Sequence, residues 1–386
     1  MLILFSEIVG LPHIKNHLTT TADNSRIAHA QLFIGNSGSG TLPMAIAYAQ
    51  YLLCKNQDGE NQHGNPSCNL KFTNLSHPDL HFAFPVATNQ TIKSHPVSAN
   101  FMEDWRRFIQ HQPYGSLTDW YEHIGIENKQ GQIGVDEAQD IVKSLSLKAY
   151  EGGLKVMIIW MADRMNTAAA NKLLKLIEEP PNKTIFILIA EDEEQIIQTI
   201  KSRCQTLKFP PLAEADITEK LIASKNMNTQ EASLIAHQSN GSYTRALHLL
   251  EKDTADDQYE QWFIEWVRTA FKAKGNKATV LELISWSEEI ATMGREKQKS
   301  FLLYCLDFFR QALMLNYKAE PLVFLSPKTK GFQLKKFAPF VHGNNILPIT
   351  KAIEDAIYHI ERNANAKIVL TDLSIRLTRF LHIKDA

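Results

Sequence analysis

The densest apolar patterning in the chain lies between residues 155 and 205. Lys155-Val156-Met157-Ile158-Ile159-Trp160-Met161-Ala162 and Phe186-Ile187-Leu188-Ile189-Ala190 are runs of strand length. Between them Leu173, Leu174 and Ile177 share one face of a helix that Pro180-Pro181 stops. Strand, helix, strand is the repeating unit of a parallel sheet. Upstream, His29-Ala30-Gln31-Leu32-Phe33-Ile34 predicts another strand, which runs through Gly35-Asn36-Ser37-Gly38-Ser39-Gly40 into an apolar helix from Met44 to Leu53. The stretch from 82 to 131 is more polar, yet Phe101, Trp105, Phe108 and Ile109 are spaced for one helical face, and Trp120, Tyr121 and Ile124 form a second small apolar group. From Ile133 a further helix opens with Asp136 and Glu137 in its first turn, where the helix dipole favours acids.

Phe209-Pro210-Pro211-Leu212 breaks this pattern, and beyond it the apolar spacing is helical throughout. Ile217, Leu221, Leu234, Ile235, Ala246 and Leu249 predict a small helical domain. Trp262, Phe263 and Trp266, then Phe301, Leu302, Cys305, Phe308 and Phe309, and later Ile349, Ile353, Ile357 and Ile360 predict a larger one. Residues 318 to 345, rich in Lys, Gly and Pro, read as a long loop. The expected fold class is therefore α/β plus all-α. A parallel-sheet domain spans 1–211, with a cysteine loop at 54–81 and an insertion at 82–131; a helical lid spans 212–252 and a helical domain 253–386.

Composition narrows the function classes. A chain of 386 residues fits two or three domains. Its 41 basic and 42 acidic residues leave a net charge of -1, so global electrostatics give no reason to expect autonomous nucleic-acid binding. Four cysteines do not suggest a disulfide framework and fit a reduced, cytoplasmic setting. Met1 to Glu7 has no basic n-region, and no run approaches the roughly 20 apolar residues of a membrane span, so the expectation is a soluble, untargeted chain with no membrane partner.

The chemistry of the glycine loop is incomplete. Gly35, Gly38 and Gly40 between a strand and a helix form the backbone cradle of a phosphate-binding loop, but the position of its lysine is Thr41 and that of its magnesium-binding hydroxyl is Leu42. Losing one charge-assisted contact costs roughly 1.5 to 3 kcal/mol. Bound ATP is not expected.

Asn171-Lys172-Leu173-Leu174-Lys175-Leu176-Ile177-Glu178-Glu179-Pro180-Pro181, followed by Ser202-Arg203-Cys204, resembles the clamp-loader branch of the AAA+ proteins, which opens and closes the sliding clamp of the replicative DNA polymerase. The resemblance implies an AAA+ P-loop-type sheet domain, a lid and a collar domain that associates with other subunits. It places Trp160 and Met161 at the positions of the two Walker B acids, with Asp163 three residues late as a surface or capping acid. Ala190 occupies the position of a phosphate-sensing polar residue, and Thr244 that of the lid's sensor arginine, with Arg245 one position off. Ser202 and Arg203 match the finger motif, in which the arginine enters the ATP site of a neighbouring subunit; a guanidinium offers permanently charged donors for phosphate oxygens. Cys204 reads as a buried small residue rather than a nucleophile.

The resemblance also implies a zinc module of four cysteines, from which this chain departs. Cys54 and Cys68 remain, His63 lies near a second ligand position and Asn65 replaces the third. A site of Cys54, His63 and Cys68 completed by His77 is one reading, with His81 nearby; a vestigial loop without metal is the other, and Asn65, a poor zinc ligand, favours it.

Three functions follow as expectations. The first is a non-hydrolysing subunit of the delta-prime type in the bacterial DNA polymerase III clamp loader. It would lack intrinsic ATPase activity and bind no cofactor with the exception of the open zinc question. As an accessory subunit of a DNA-directed DNA polymerase holoenzyme it would be a hetero-oligomer, with gamma/tau-type and delta-type subunits in a pentameric ring, reaching the sliding clamp and primer-template DNA through that assembly. The second is a gamma/tau-type ATPase with a non-consensus P-loop. The joint loss at Thr41, Leu42, Trp160, Met161 and Ala190 favours the first. The third, a zinc-dependent or directly DNA-binding module using aromatics beside Arg106 and Arg107, needs a filled metal site or a basic face.

Overall fold

The apolar runs meet in a five-stranded parallel sheet. In the computed structural model, which describes residues 2–54, 65–151, 153–181, 183–250, 254–323, 325 and 327–384, the strands are β1 (Ala30–Ile34), β2 (Leu80–Ala83), β3 (Lys155–Ile159), β4 (Thr184–Ala190) and β5 (Gln205–Lys208). Their order across the sheet is β2-β3-β4-β1-β5. The register sets Ile158 beside Ile187 and Leu32 beside Leu188. Strand alternation divides the core in two. Phe33, Val156, Ile158, Ile187 and Ile189 face one layer, which includes helices α1 (Pro12–Asp23) and α2 (Thr41–Cys54). After α3 (Pro66–Thr73), the insertion adds α4 (Met102–His111) and α5 (Leu117–His123) to that layer. Leu32, Met157, Ile159, Phe186 and Leu188 face the other, built from α6 (Val135–Ser146), α7 (Thr167–Glu178) and α8 (Gln198–Lys201). All seven residues of β4 are buried, as a central parallel strand requires.

Phe101, just before α4, and Trp105, Phe108 and Ile109 within it are all buried: Trp105 packs against Phe84, Trp120 and Trp160 with ring centroids 4.2, 5.2 and 5.1 Å away. These rings are core, and none forms an exposed platform for stacked bases. Arg106 donates to the Leu75 carbonyl at 3.2 Å, and Arg107 pairs with Glu103 one turn away.

Helices α9 (Glu214–Lys225), α10 (Thr229–Gln238) and α11 (Tyr243–Leu250) follow the Pro210-Pro211 break. Ile217, Leu221, Ala232, Ala236, Tyr243 and Ala246 join the same hydrophobic cluster as Phe33 and α2. The chain accordingly forms two compact units, Met1–Ile126 with Gln130–Glu251, and Glu127–Lys129 with Lys252–Ala386. The break at 211 is a corner in the first unit, because the lid shares its core.

The second unit contains α12 (Thr254–Lys272), α13 (Lys277–Ala291), α14 (Arg295–Asn316), α15 (Leu334–Phe337), α16 (Gly343–Glu361) and α17 (Ala366–Phe380). Its core includes Phe263, Trp266, Phe301, Phe308, Ile353 and Leu373. Trp266 stacks on Trp286 at 5.2 Å and donates its indole N–H to Ser374 Oγ at 2.8 Å. The stretch expected as loop from 318 to 345 includes the short helix α15, held by buried Leu334 and Phe337. Among the described residues, no helix is long and apolar enough to cross a membrane.

Candidate functional site: a filled phosphate loop and an exposed arginine

The glycine loop leaves the end of β1 and enters α2 as the sequence predicts, and its cradle is occupied by the chain itself. Gly38 has φ +81°, a conformation that favours glycine, and its carbonyl accepts the Tyr243 N–H at 3.1 Å. Ser242 Oγ donates to the Ser37 carbonyl at 2.9 Å. A Cβ at Gly38 would lie 2.2 Å from Ser242 Oγ and 2.8 Å from the Thr244 nitrogen, so the start of α11 sits directly on the loop. Thr244, aligned with the lid's sensor position, is buried and donates its hydroxyl to the Tyr114 carbonyl.

Tyr114 closes the other side. Its phenol accepts the Val9 N–H at 2.9 Å, and its ring meets that of Tyr243 edge-on at 4.9 Å. A Cβ on Gly40 would contact the Tyr114 ring at 3.4 Å. Burial pushes the Tyr114 phenol well above the usual tyrosine range. What remains between Ser37, Gly38, Gly40, Thr41, Tyr114 and Trp160 is a cavity of about 20 Å³, room for a water molecule and far too small for a nucleotide.

The positions aligned with the acids of an active site are built as core. Trp160 is 1 % exposed within the Trp105–Phe108 ring cluster, Met161 is 3 % exposed, and Ala190 ends β4 fully buried. A carboxylate at either of the first two positions would be buried among rings. Asp163, expected at the surface or at a cap, is instead buried, with its carboxyl 3.8 Å from Arg164 Nε and its pKa raised by desolvation. It follows a left-handed turn at Met161, φ +54°, and lies in the short 3-10 turn Ala162–Arg164. Asp163 is not among the residues lining the small cavity.

Arg203 stands in a different environment. It follows α8, whose short coil ends at Ser202, and Ser202 Oγ donates back to the Thr199 carbonyl at 3.2 Å. The Arg203 guanidinium is partly exposed; Nε donates to Glu178 Oε2 at 3.0 Å and Nη1 to the Thr199 carbonyl at 2.9 Å. An ion pair this exposed contributes about 0.2–1 kcal/mol, so it orients the group more than it stabilises the fold. Beside it, burial pushes the Cys204 thiol up to about 11, which makes it a poor nucleophile at neutral pH. Arg245 is exposed at the start of α11, with its backbone N–H on Ser242 Oγ at 3.2 Å.

The cysteine segment differs from expectation. Cys54, the last residue of α2, and Cys68, in the first turn of α3, form a disulfide with Cα atoms 5.5 Å apart. The Asn65 N–H on the Cys54 carbonyl at 3.0 Å brings the two helix ends together, and the Asn65 side chain caps α3. Sulfurs joined in this way have no thiolate for zinc. His63 lies outside the described residues. His77 is engaged elsewhere: its Nδ1 accepts the Asp79 N–H at 3.2 Å and its Nε2 lies 3.2 Å from Glu151, which also pairs with Lys71. Among the described residues no cluster of three or more His, Cys, Asp or Glu could hold a metal ion.

Two components were absent from the sequence reading: the plug made by Tyr114 and Ser242 to Thr244, and the partner of Arg203. Tyr114 lies in the turn after α4, and no periodicity or motif brings it to a loop more than 70 residues away. In the sequence Glu178 stands out only as part of the Glu178-Glu179-Pro180-Pro181 stretch.

A family model described as DNA polymerase III, delta subunit, matches residues 10–213, which include all five strands, the glycine loop and Arg203. The chain belongs to this family. Among the relatives of this DNA polymerase III family, the subunit delta' of Bacillus subtilis is 28 % identical over 242 residues, covering 63 % of this chain and 60 % of that protein. Escherichia coli subunit delta' is 34 % identical over 140 residues, 36 % of this chain and 41 % of that one. The B. subtilis subunit tau is 26 % identical over 253 residues, 64 % of this chain and 37 % of tau. The chain thus spans about three fifths or less of the length of these curated relatives. The clamp-loader resemblance of delta-prime type is borne out at family level. Since similarity extends to tau, the choice of role within the family rests on the site.

Proposed function

We propose that this chain is a non-hydrolysing clamp-loader subunit of the delta-prime type, which binds no nucleotide and contributes Arg203 to the ATP site of a neighbouring gamma/tau-type subunit in DNA replication. One observation carries this reading: the phosphate cradle is filled by Tyr114 and the start of α11, leaving a cavity of about 20 Å³. A gamma/tau-type ATPase would need that volume open, a lysine at 41 and acids near 160. The fold is then a scaffold whose parallel sheet fixes α7 and α8, and through them Arg203. Delta-type and gamma/tau-type subunits would be its ring partners, and the sliding clamp and primer-template DNA would be met through the assembly.

The test is Arg203→Ala in a reconstituted loader. Supplied in trans, an arginine finger is worth about 10³ to 10⁵ in rate. DNA-stimulated ATP turnover should fall to what the other interfaces supply, while the variant's melting temperature stays at the wild-type value, since only an exposed pair is lost. Unchanged turnover would exclude the finger role.

A further inference from the structure

The Glu178–Arg203 pair asks for an explanation that helix stability does not provide. Glu178 is the last residue of α7, with Glu179 beside it, at the end of a helix where the dipole disfavours acids. The Glu179 N–H on the Lys175 carbonyl at 2.9 Å closes the helix, and Pro180-Pro181 prevents its continuation, so the Glu178 backbone is fixed. Against this acid lies the one side chain to which the proposed function assigns work in a neighbour's site.

A guanidinium has five N–H donors in one plane. In Arg203 the Nε donor is held by Glu178 and one Nη1 donor by the Thr199 carbonyl. The contacts come from two helices, α7 and α8, that share the buried layer under the sheet. They fix the plane of the group from one edge and leave three donors, the second Nη1 N–H and both of Nη2, without a partner among the described residues. Those three are what a phosphate oxygen pair would meet. A long, flexible arginine is thereby prepared in one rotamer before any neighbour docks, which lowers the ordering cost of contact.

We infer that Glu178 is a positioning residue for Arg203, setting the plane and rotamer in which the guanidinium is offered to phosphate. This rests on the finger reading of Arg203, and the experiment separates the two. Loaders are reconstituted with Arg203→Ala, Glu178→Ala, Glu178→Gln and the double variant Glu178→Ala/Arg203→Ala, and kcat and KM for DNA-stimulated ATP turnover are measured. Misplacement of a reacting group by about 1 Å can cost about 10²-fold, so Glu178→Ala should remove about half or more of the kcat that Arg203→Ala removes, with little change in KM. Glu178→Gln, which keeps an acceptor oxygen, should recover part of it. The double variant should match Arg203→Ala alone, a result that a purely structural role of Glu178 would not give.

If Arg203→Ala lowers turnover and Glu178→Ala does not, the positioning role is overturned and the finger stands. If Glu178→Ala raises turnover, the pair is a restraint on the arginine and the inference is likewise overturned. If neither variant changes turnover, the finger reading fails and the inference with it.

Discussion

At the scale of single residues, the proposed loss of nucleotide binding rests on addition as well as on subtraction. Thr41 and Leu42 stand where the phosphate-loop motif has its lysine and its metal-binding hydroxyl, which is read directly from the sequence. Tyr114, Tyr243 and Thr244 then occupy the space, which only the folded chain reveals. The two losses make different predictions for Thr41→Lys. If the missing charge were the whole obstacle, a restored lysine would regain roughly 1.5 to 3 kcal/mol and some affinity for Mg-ATP. With the cradle filled, calorimetric titration of the isolated protein should be silent for the wild type and remain silent for Thr41→Lys, with circular dichroism confirming that the variant is folded. Heat of binding from the wild type would require Tyr114 and the start of α11 to withdraw from Gly38, and would reopen the ATPase reading.

At the scale of elements, the joint between α2 and α3 is where the sequence expectation and the structure part most clearly. Four cysteines in a long chain argue against a disulfide framework, yet one pair is brought together because the Asn65 N–H returns to the end of α2. Cross-linking a loop of about 15 residues stabilises by about 3 kcal/mol on the chain-entropy account. Reductant should therefore lower the unfolding free energy of the first unit by about that amount, and Cys54→Ser should give the same value in oxidising buffer and no further loss with reductant. Thiol titration under denaturing conditions checks the bond itself: two reactive thiols, those of Cys204 and Cys305, are expected before reduction and four after. Four at the outset, with zinc in the sample, would return the sulfurs to the metal-site reading. The same scale shows which elements the sequence reveals. β1, β3, β4, α2, α4 and α7 are legible because burial on one or both faces imposes a period that survives in the residues. The edge strands β2 and β5 are not: each has four residues, Gln205-Thr206-Leu207-Lys208 is largely exposed, and Leu80-His81-Phe82-Ala83 is broken by His81 and followed within two residues by Pro85. Arg203 was placed by its motif, whereas its partner Glu178, 25 residues earlier, needed the fold.

At the scale of the whole molecule, the question is which lengths of chain can fold. A boundary after 211 follows from the Pro-Pro break, but the hydrophobic cluster crosses it. Cutting there would remove Ile217, Leu221 and Tyr243 from the first unit, and burial of each such side chain is worth about 1.5–3 kcal/mol. It would also strip Tyr243 from the Gly38 carbonyl and Thr244 from the Tyr114 carbonyl. Against a total stability of about 5–15 kcal/mol, these losses are comparable to the whole. The second unit has a separate cluster running from Phe263 to Leu381, to which residues 127 to 129 contribute nothing. Three fragments should therefore behave differently in urea. Residues 1–251 and 252–386 should each unfold in a single cooperative transition with native near-ultraviolet circular dichroism, while 1–211 should show a broad, non-cooperative loss of signal or aggregate. A cooperative 1–211 fragment would mean that the lid is an independent appendage. Tyr114 and Gly38 would then be coverable only while the lid is docked, and the silence toward nucleotide would depend on that docking rather than on the fold of the sheet.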